Sequence, residues 1–200
     1  LVGADYPACG MTGPPRLLES PLGFFASVSH SPALDTRPWA DKWALERPRR
    51  KLHACCGYLH SAVEGVARLR QSDGGLRGAY SLRVHVPPYT AEAVAKSQPP
   101  RSPNDARFHL QYCLAHAWRG ANVIEPDHSI DFATYLEDPR IRAAMAHVEV
   151  VDDASLTHYQ QSRISVLNQK GDRIDQLSVD SPRGSPESPL STQEVIYKFK

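Results

Sequence analysis

The chain mixes segments of helical periodicity with segments of strand periodicity without alternating them strictly, and this mixture most constrains its fold. The clearest strand pattern lies at 79–86, where apolar and polar residues alternate. The clearest helical patterns lie at 58–71 and 103–119, where apolar residues recur three and four positions apart. Strict alternation would indicate a parallel sheet. The observed order predicts instead an α+β domain of two layers, with helices packed on a small mixed or antiparallel sheet.

Shorter elements are predicted around these. Strands are expected at 147–151, 161–167 and 173–179, the last two as a hairpin, and helices at 89–96, 138–146 and 191–199. Ser102 and Ser191 are the predicted N-caps of their helices. Glycines and prolines divide 1–28 into helix, break and helix, and 43–45 is a candidate short strand.

Charge and composition exclude several functions. Among 200 residues, 23 are Lys or Arg and 22 are Asp or Glu, which gives a net charge of +1 and none of the basic excess of nucleic-acid-binding proteins. No apolar stretch reaches the length of a membrane span, and four cysteines, two of them adjacent, do not form a secreted disulfide framework. We therefore expect neither nucleic acid nor membrane as a partner, and a reduced, cytoplasmic location. Phosphate-loop, G-x-S-x-G and H-E-x-x-H motifs are absent from the sequence, and no cofactor is predicted.

One cluster of candidate metal ligands consists of His53, Cys55, Cys56 and His60. Structural zinc sites usually place their ligands in pairs separated by two to four residues. Adjacent cysteines point their side chains apart, and a second ligand pair is not evident in the sequence. A buried cysteine beside one that lines a cleft is therefore the favoured interpretation, and no metal is expected. A zinc-binding regulatory domain is kept as a third hypothesis.

A second cluster lies on the predicted helix 103–119, where His109, Tyr112, Cys113 and His116 share one face. A solvated or internally satisfied stripe is the favoured interpretation, and a face that borders a substrate cleft is the functional alternative. Lys51 has two interpretations as well. It is either a surface residue, which composition alone favours, or an anchor for a carboxylate.

Five segments along the chain resemble the MmgE/PrpD family. They are GMTGP at 10–14 with LE at 18–19 and GF at 23–24, KLHACC at 51–56 with HSA at 60–62, 104–120, DPRI at 138–141 with HVEV at 147–150, and PLSTQEVIYKF at 189–199. The resemblance covers nearly the whole chain but only the C-terminal part of the family, whose members join a large helical domain to an α+β lid. It implies that 1–48 ends the helical domain and its linker, that 49–188 is the lid, and that 189–200 is a terminal helix returning to the helical domain. Most of that all-α domain would be missing here, since the chain opens at Leu1 as if inside a helix.

The resemblance also implies chemistry. Members such as 2-methylcitrate dehydratase, cis-aconitate decarboxylase and iminodisuccinate epimerase remove or return a proton beside a carboxylate of a small di- or tricarboxylic acid. By resemblance, Lys51 and Tyr112 would be catalytic, and Lys51, Cys56, His60 and His109 would bind substrate. The sequence departs from the family pattern at two places: His109 stands where Ser is usual, and Leu52-His53-Ala54 replaces a Pro-aromatic-Pro segment. The lysine–Cys–Cys form resembles the epimerase and decarboxylase branches more than the 2-methylcitrate dehydratases.

The expected partners are therefore the carboxylate substrate, the missing N-terminal helical domain and a second copy of the chain in a homodimer. The chain alone is expected to be inactive, because the complementary acid–base groups belong to the helical domain. A non-catalytic truncated remnant, or an interaction module, is the alternative.

Overall fold

The computed structural model describes residues 6–10, 12–13, 15–18, 20–21, 23–28, 44–73 and 75–198. The chain divides into two compact units, 1–43 and 44–200. The first unit holds a 3-10 helix, Tyr6–Cys9, and helix α1, Phe24–Val28, which agrees with the predicted helix, break and helix. The strand predicted at 43–45 is wrong, because Ala44–Glu46 forms a 3-10 helix; Trp43 lies outside the described residues.

The second unit contains the sheet. A 3-10 turn, Gly57–Leu59, leads into α2 (His60–Gln71), and the following elements are β1 (Ser81–Val86), α3 (Pro88–Val94), α4 (Pro103–Arg107), α5 (Leu110–Arg119), α6 (Pro126–Ile130), α7 (Phe132–Glu137), α8 (Pro139–Ala146), β2 (Val148–Asp152), β3 (Ser162–Leu167), β4 (Arg173–Val179) and α9 (Thr192–Tyr197). None of the helices among the described residues is long and apolar enough to span a bilayer.

The four strands form one mixed sheet in the order β2-β1-β3-β4. β1 pairs in parallel with β2, whereas β1 with β3 and β3 with β4 are antiparallel. The hairpin predicted at the β3–β4 connection is confirmed, and so is the predicted α+β class. The parallel pair needs a long crossover, which α3 to α8 provide.

Helices cover one face of this sheet. Leu82, Val84 and Val86 of β1 are fully buried, and α2 packs against β3 and β4. A Cβ on Gly65 would lie 2.4 Å from Ile164 Cδ1, so glycine at this position allows α2 to approach the sheet closely. α5 packs against α2 and α8, and this places α5 at the centre of the helical layer.

The helix predicted over 103–119 is two helices. Ser102 caps α4 as predicted, with its Oγ accepting from the Asp105 amide at 3.0 Å. The backbone then leaves the helix at Phe108, and His109 is extended and caps α5 by accepting from the Tyr112 amide at Nδ1, 3.2 Å away. A histidine that satisfies the first amides of a helix starts a new helix at its own position. α6 and α7 were not predicted from the sequence, because each spans less than two turns and shows no apolar periodicity.

Candidate functional site

A cavity of about 500 Å³ lies between the loop 51–56, the α4–α5 turn, α6 and the end of the described chain. Two backbone hydrogen bonds hold the loop in place, from the Ala54 amide to the Ile124 carbonyl at 2.6 Å and from the Cys56 amide to the Arg107 carbonyl at 2.9 Å. The lining residues are Lys51, His53, Ala54, Cys55, Cys56, Asn104, Arg107, Phe108, Pro126, Ser129 and Lys198. We call this space the cationic cavity, because three cationic side chains and no acidic side chain of the described residues line it.

The three cations have neutral partners. Lys51 Nζ lies 3.4 Å from the Cys55 carbonyl oxygen, and Arg107 Nε donates to Ser129 Oγ at 3.2 Å. Lys198 Nζ donates to the Lys51 carbonyl. Within the described part of the chain, none of the three forms a salt bridge. Their charges are therefore not neutralised, and such side chains can bind carboxylates through charge-assisted hydrogen bonds.

His53 adds a neutral donor to the cavity wall. Burial, His60 and Lys198 lower the pKa of His53 from 6.5 to about 3, so the ring is uncharged at neutral pH. Its Nδ1 accepts from the Ile124 amide at 3.2 Å, which assigns the ring proton to Nε2. Nε2 is buried without a hydrogen-bond partner among the described residues. A buried N–H without a partner is destabilising unless another polar group comes to accept from it.

The adjacent cysteines have different environments. Cys55 is buried and belongs to the core cluster, whereas Cys56 is half-buried; both border the cavity. A hydrogen bond from Cys113, the neighbouring His60 and the charge of Lys51 hold the pKa of the Cys55 thiol below its usual range, although burial opposes them. His60 lies behind the wall, with its ring edge-on to His53 at 4.9 Å between centroids. No group of three or more side chains that could hold a metal occurs in the described residues, which gives no support to the zinc hypothesis.

Tyr112 and His109 are not among the residues that line the cationic cavity. Tyr112 is only 1% exposed, and its hydroxyl donates to the His128 carbonyl at 2.6 Å. Burial raises its pKa well above the usual range, with Cys113 and Tyr135 adding to the effect. His109 is equally buried and uses both ring nitrogens, Nδ1 for the α5 cap and Nε2 toward the Gln98 carbonyl at 2.9 Å. Of the five residues singled out as site residues, Lys51 and Cys56 line this cavity, His60 supports it, and Tyr112 and His109 do not line it.

The model of the MmgE/PrpD C-terminal domain matches residues 53–200. The chain belongs to the MmgE/PrpD family. The matched region contains the whole sheet, the helical layer and all cavity-lining residues except Lys51, which stands two residues before it. No curated protein matches the chain closely enough to serve as a relative.

Apart from Lys51, sequence reasoning assigned none of the basic cavity residues of this MmgE/PrpD domain to the site: His53, Arg107 and Lys198. His53 was considered only as a metal ligand, and its replacement of an aromatic residue in the family pattern was the available signal. Arg107 occupies the basic position before Phe108 in the 104–120 motif, and Lys198 belongs to the closing motif. The sequence therefore contained both cations, but only the fold brings them to Lys51.

Proposed function

We propose that this MmgE/PrpD domain binds a small di- or tricarboxylate in the cationic cavity and forms part of the active site of a cofactor-independent lyase or isomerase. The observation that carries the proposal is the set of three cationic side chains, Lys51, Arg107 and Lys198, around one cavity that the described acidic side chains do not enter. A polyanion would bind there without displacing an internal salt bridge.

The proposed chemistry is removal or return of a proton beside a bound carboxylate. Negative charge develops on the substrate when a carbon acid loses its proton, and fixed donors stabilise that charge in the transition state. Lys51 and Arg107 would bind carboxylate oxygens, and His53 Nε2–H would donate to the oxygen that gains charge. Cys56 would contact substrate at the wall, His60 would support the loop, and Tyr112 and His109 would position α4 and α5. Dehydration, decarboxylation and epimerisation all fit this arrangement.

We also propose the assignment of residues to the lid and to the helical domain that the family implies. Residues 49–188 would act as the lid, while 1–48 and 189–200 would belong with the helical domain. Lys198 would then bring the second segment of that domain into the site. On this basis the chain binds carboxylates but catalyses nothing alone, since groups that act as a unit lose nearly all their effect when members are removed.

Calorimetric titration tests the binding step, with cis-aconitate, 2-methylcitrate and iminodisuccinate as ligands. Lys51→Ala should weaken binding at least tenfold, whereas Lys170→Ala, at an exposed position of the β3–β4 loop, should leave it unchanged. Turnover assays follow with the chain alone and mixed with a separately produced helical domain of the family. Activity in the mixture only supports the split site. Absence of binding by all three acids would overturn the proposal.

A homodimer is the proposed assembly. Four large apolar residues expose about half of their surface: Leu17, Leu18 and Phe24 in the first unit and Ile196 in the second. Phe25 and Val195, also expected to lack partners, are half-buried, and Phe199 lies outside the described residues. Apolar side chains exposed in this way promote association. Light scattering at high concentration should give twice the chain mass, and a monomer would contradict this assembly.

A further inference from the structure

A cavity of about 390 Å³ is formed by the loop after α3, the start of α5 and the junction of α8 with β2. It shares no lining residue with the cationic cavity, and the proposed function gives it no role. Two cationic side chains, Lys96 and Arg142, line it together with apolar ones, and no acidic side chain of the described residues does so. We call this space the amphipathic cavity.

Neither cation of the amphipathic cavity is neutralised. Lys96 is half-buried and Arg142 is exposed, and neither side chain forms a salt bridge or a hydrogen bond within the part of the chain that the structure describes. Gln111 supplies a third donor. Its Oε1 accepts from the Lys96 amide at 3.2 Å, which fixes the identity of Nε2, and Nε2 has no partner among the described residues. Three donors that need an acceptor therefore line one cavity.

The start of α5 holds the wall of this cavity in place. His109 Nδ1 accepts from the Tyr112 amide, so the ring proton lies on Nε2 and is donated to the Gln98 carbonyl at 2.9 Å. The Lys96 amide is held by Gln111 in the same way. His109 was expected to bind substrate, and it lines this cavity instead. A loop fixed at two points loses less conformational entropy when a ligand binds, so the donors are preorganised.

The apolar part of the wall belongs to the packed interior. Val148 is buried in the core cluster, Met145 packs against that cluster, and Pro99 lies on the loop opposite α5 in sequence. Burial of an apolar chain on such a wall is favourable, whereas a bare inorganic anion gains nothing from it. The combination of cationic and apolar side chains therefore fits an anion that carries an apolar body.

We propose that the amphipathic cavity is a binding site for a monocarboxylate with a short apolar chain. Its two carboxylate oxygens accept hydrogen bonds from Lys96, Arg142 and Gln111 Nε2, and its chain lies on Met145 and Val148. Two cations that face no acid in the cavity favour the carboxylate over a neutral molecule of the same shape. The site is independent of the proposed function, because the two cavities have no lining residue in common.

Nuclear magnetic resonance of the ¹⁵N-labelled chain locates the ligand, with hexanoate as the probe. We expect hexanoate to shift the amide resonances of 96–98, 111 and 145–148 and to leave those of the loop 51–56 unchanged. Acetate, which has the charge without the chain, and 1-hexanol, which has the chain without the charge, should each bind about tenfold more weakly or worse. Either one binding as tightly as hexanoate would overturn the proposed ligand class, and the absence of shifts at 96–98 and 111 would overturn the site.

Variants assign the two cations. Lys96→Ala and Arg142→Ala should each raise the Kd for hexanoate about tenfold, whereas Lys170→Ala, at an exposed position of the β3–β4 loop, should leave it unchanged. Lys51→Ala should also leave it unchanged, which separates this site from the cationic cavity. Circular dichroism melts check that the variants are folded, as expected for side chains without hydrogen bonds. An unchanged Kd in both Lys96→Ala and Arg142→Ala, or an equal rise in Lys51→Ala, would overturn the proposal.

Discussion

Two polar regions of the second unit differ in whether their polar side chains pack and pair with one another. The cationic cavity presents Lys51, Arg107 and Lys198, whose hydrogen-bond partners are neutral. The second region is the aromatic cluster, defined here as Tyr112, His116, His128 and Tyr135. Its rings pack edge-on or stacked at 4.5–5.3 Å, and the Tyr112 hydroxyl is satisfied by the His128 carbonyl.

Space alone does not distinguish the two regions. A second cavity of about 460 Å³ borders the aromatic cluster, nearly the volume of the cationic one, and it too has arginines on its wall. There, however, the carboxylate of Asp138 also lies on the wall and forms a salt bridge with Arg140 at 2.8 Å. The hydrogen bonds and charge of Arg140, together with the charge of Arg119, lower the pKa of Asp138. A cavity is therefore a candidate anion site when the fold leaves its cations unneutralised, and a region whose polar groups pair with each other contributes to stability instead.

The largest expected effect is that of Lys51→Ala. In a complete enzyme of this architecture, loss of one carboxylate anchor should cost about 2–4 kcal/mol of transition-state stabilisation, a fall in kcat/KM of about 30- to 1,000-fold. Because Lys51 is exposed and the only hydrogen bond of its side chain in the described residues is a long one, truncation of this side chain should leave the free energy of unfolding unchanged. Steady-state kinetics and urea unfolding, with Lys170→Ala as control, measure the two quantities. An unchanged kcat/KM would remove the cavity from the mechanism.

The next effect compares one histidine from each region. Burial lowers the pKa of His53 and that of His116 from 6.5 to about 3. His60 and Lys198 add to the effect at His53, and His128 adds to it at His116. Between these values the unfolded chain binds the proton and the folded chain does not, so the free energy of unfolding rises with pH through this window. Lowering the pH from 7 to 5 should therefore reduce the free energy of unfolding by about 2 kcal/mol for each histidine.

Urea unfolding at the two pH values measures this loss. His53→Gln and His116→Gln should each reduce the pH-dependent loss by about 2 kcal/mol. A saturating tricarboxylate should separate the regions, because an anion beside His53 favours its protonated form and has no such effect at His116. The alternative outcome is that the ligand changes the pH dependence of the free energy of unfolding equally in His53→Gln and in the parent chain. That result would contradict an effect of the ligand through His53.

The fold was largely predictable from the sequence, because its elements have strong local signals. The strands alternate, Ser102 and Ser191 are the caps that were predicted, and the β3–β4 turn has a composition typical of hairpins. The break at Phe108-His109 was not predictable, since it depends on a histidine acting as a cap in place of the usual short polar residues.

The candidate site was predictable only in part. Lys51 and Cys56 stand in one short motif, so the sequence placed them together. Arg107 and Lys198 reach the same cavity through α4 and the chain after α9, and these contacts connect positions far apart in sequence. A shared helical face correctly grouped Tyr112 and His116 but did not reveal that the face is buried against α6.

Tyr112→Phe separates a positioning role from a catalytic one. Removing the hydroxyl leaves the His128 carbonyl without its donor, which should lower the free energy of unfolding by about 1.5 kcal/mol. If Tyr112 acts by positioning α5 against α6, carboxylate affinity and the pH profile of kcat should be retained. Urea unfolding and calorimetric titration of the chain, with steady-state kinetics in a complete enzyme of this architecture, test this. A loss of kcat with unchanged stability would instead make Tyr112 an acid–base residue, as the family resemblance implies.

The smallest expected effect is that of Arg140→Ala in the second cavity. Arg140 is exposed and its guanidinium is held by Asp138, whose pKa is lowered by the hydrogen bonds and the charge of Arg140. A cation neutralised in this way adds little attraction for a second anion, so carboxylate affinity should be the same as in the parent chain. Arg107→Ala is the matched variant, since Arg107 is also exposed but has Ser129 rather than a carboxylate as its partner. Titration of both variants with one tricarboxylate should show weaker binding for Arg107→Ala alone. Equal losses of affinity in the two variants would mean that neutralisation by a neighbouring acid does not decide where the ligand binds.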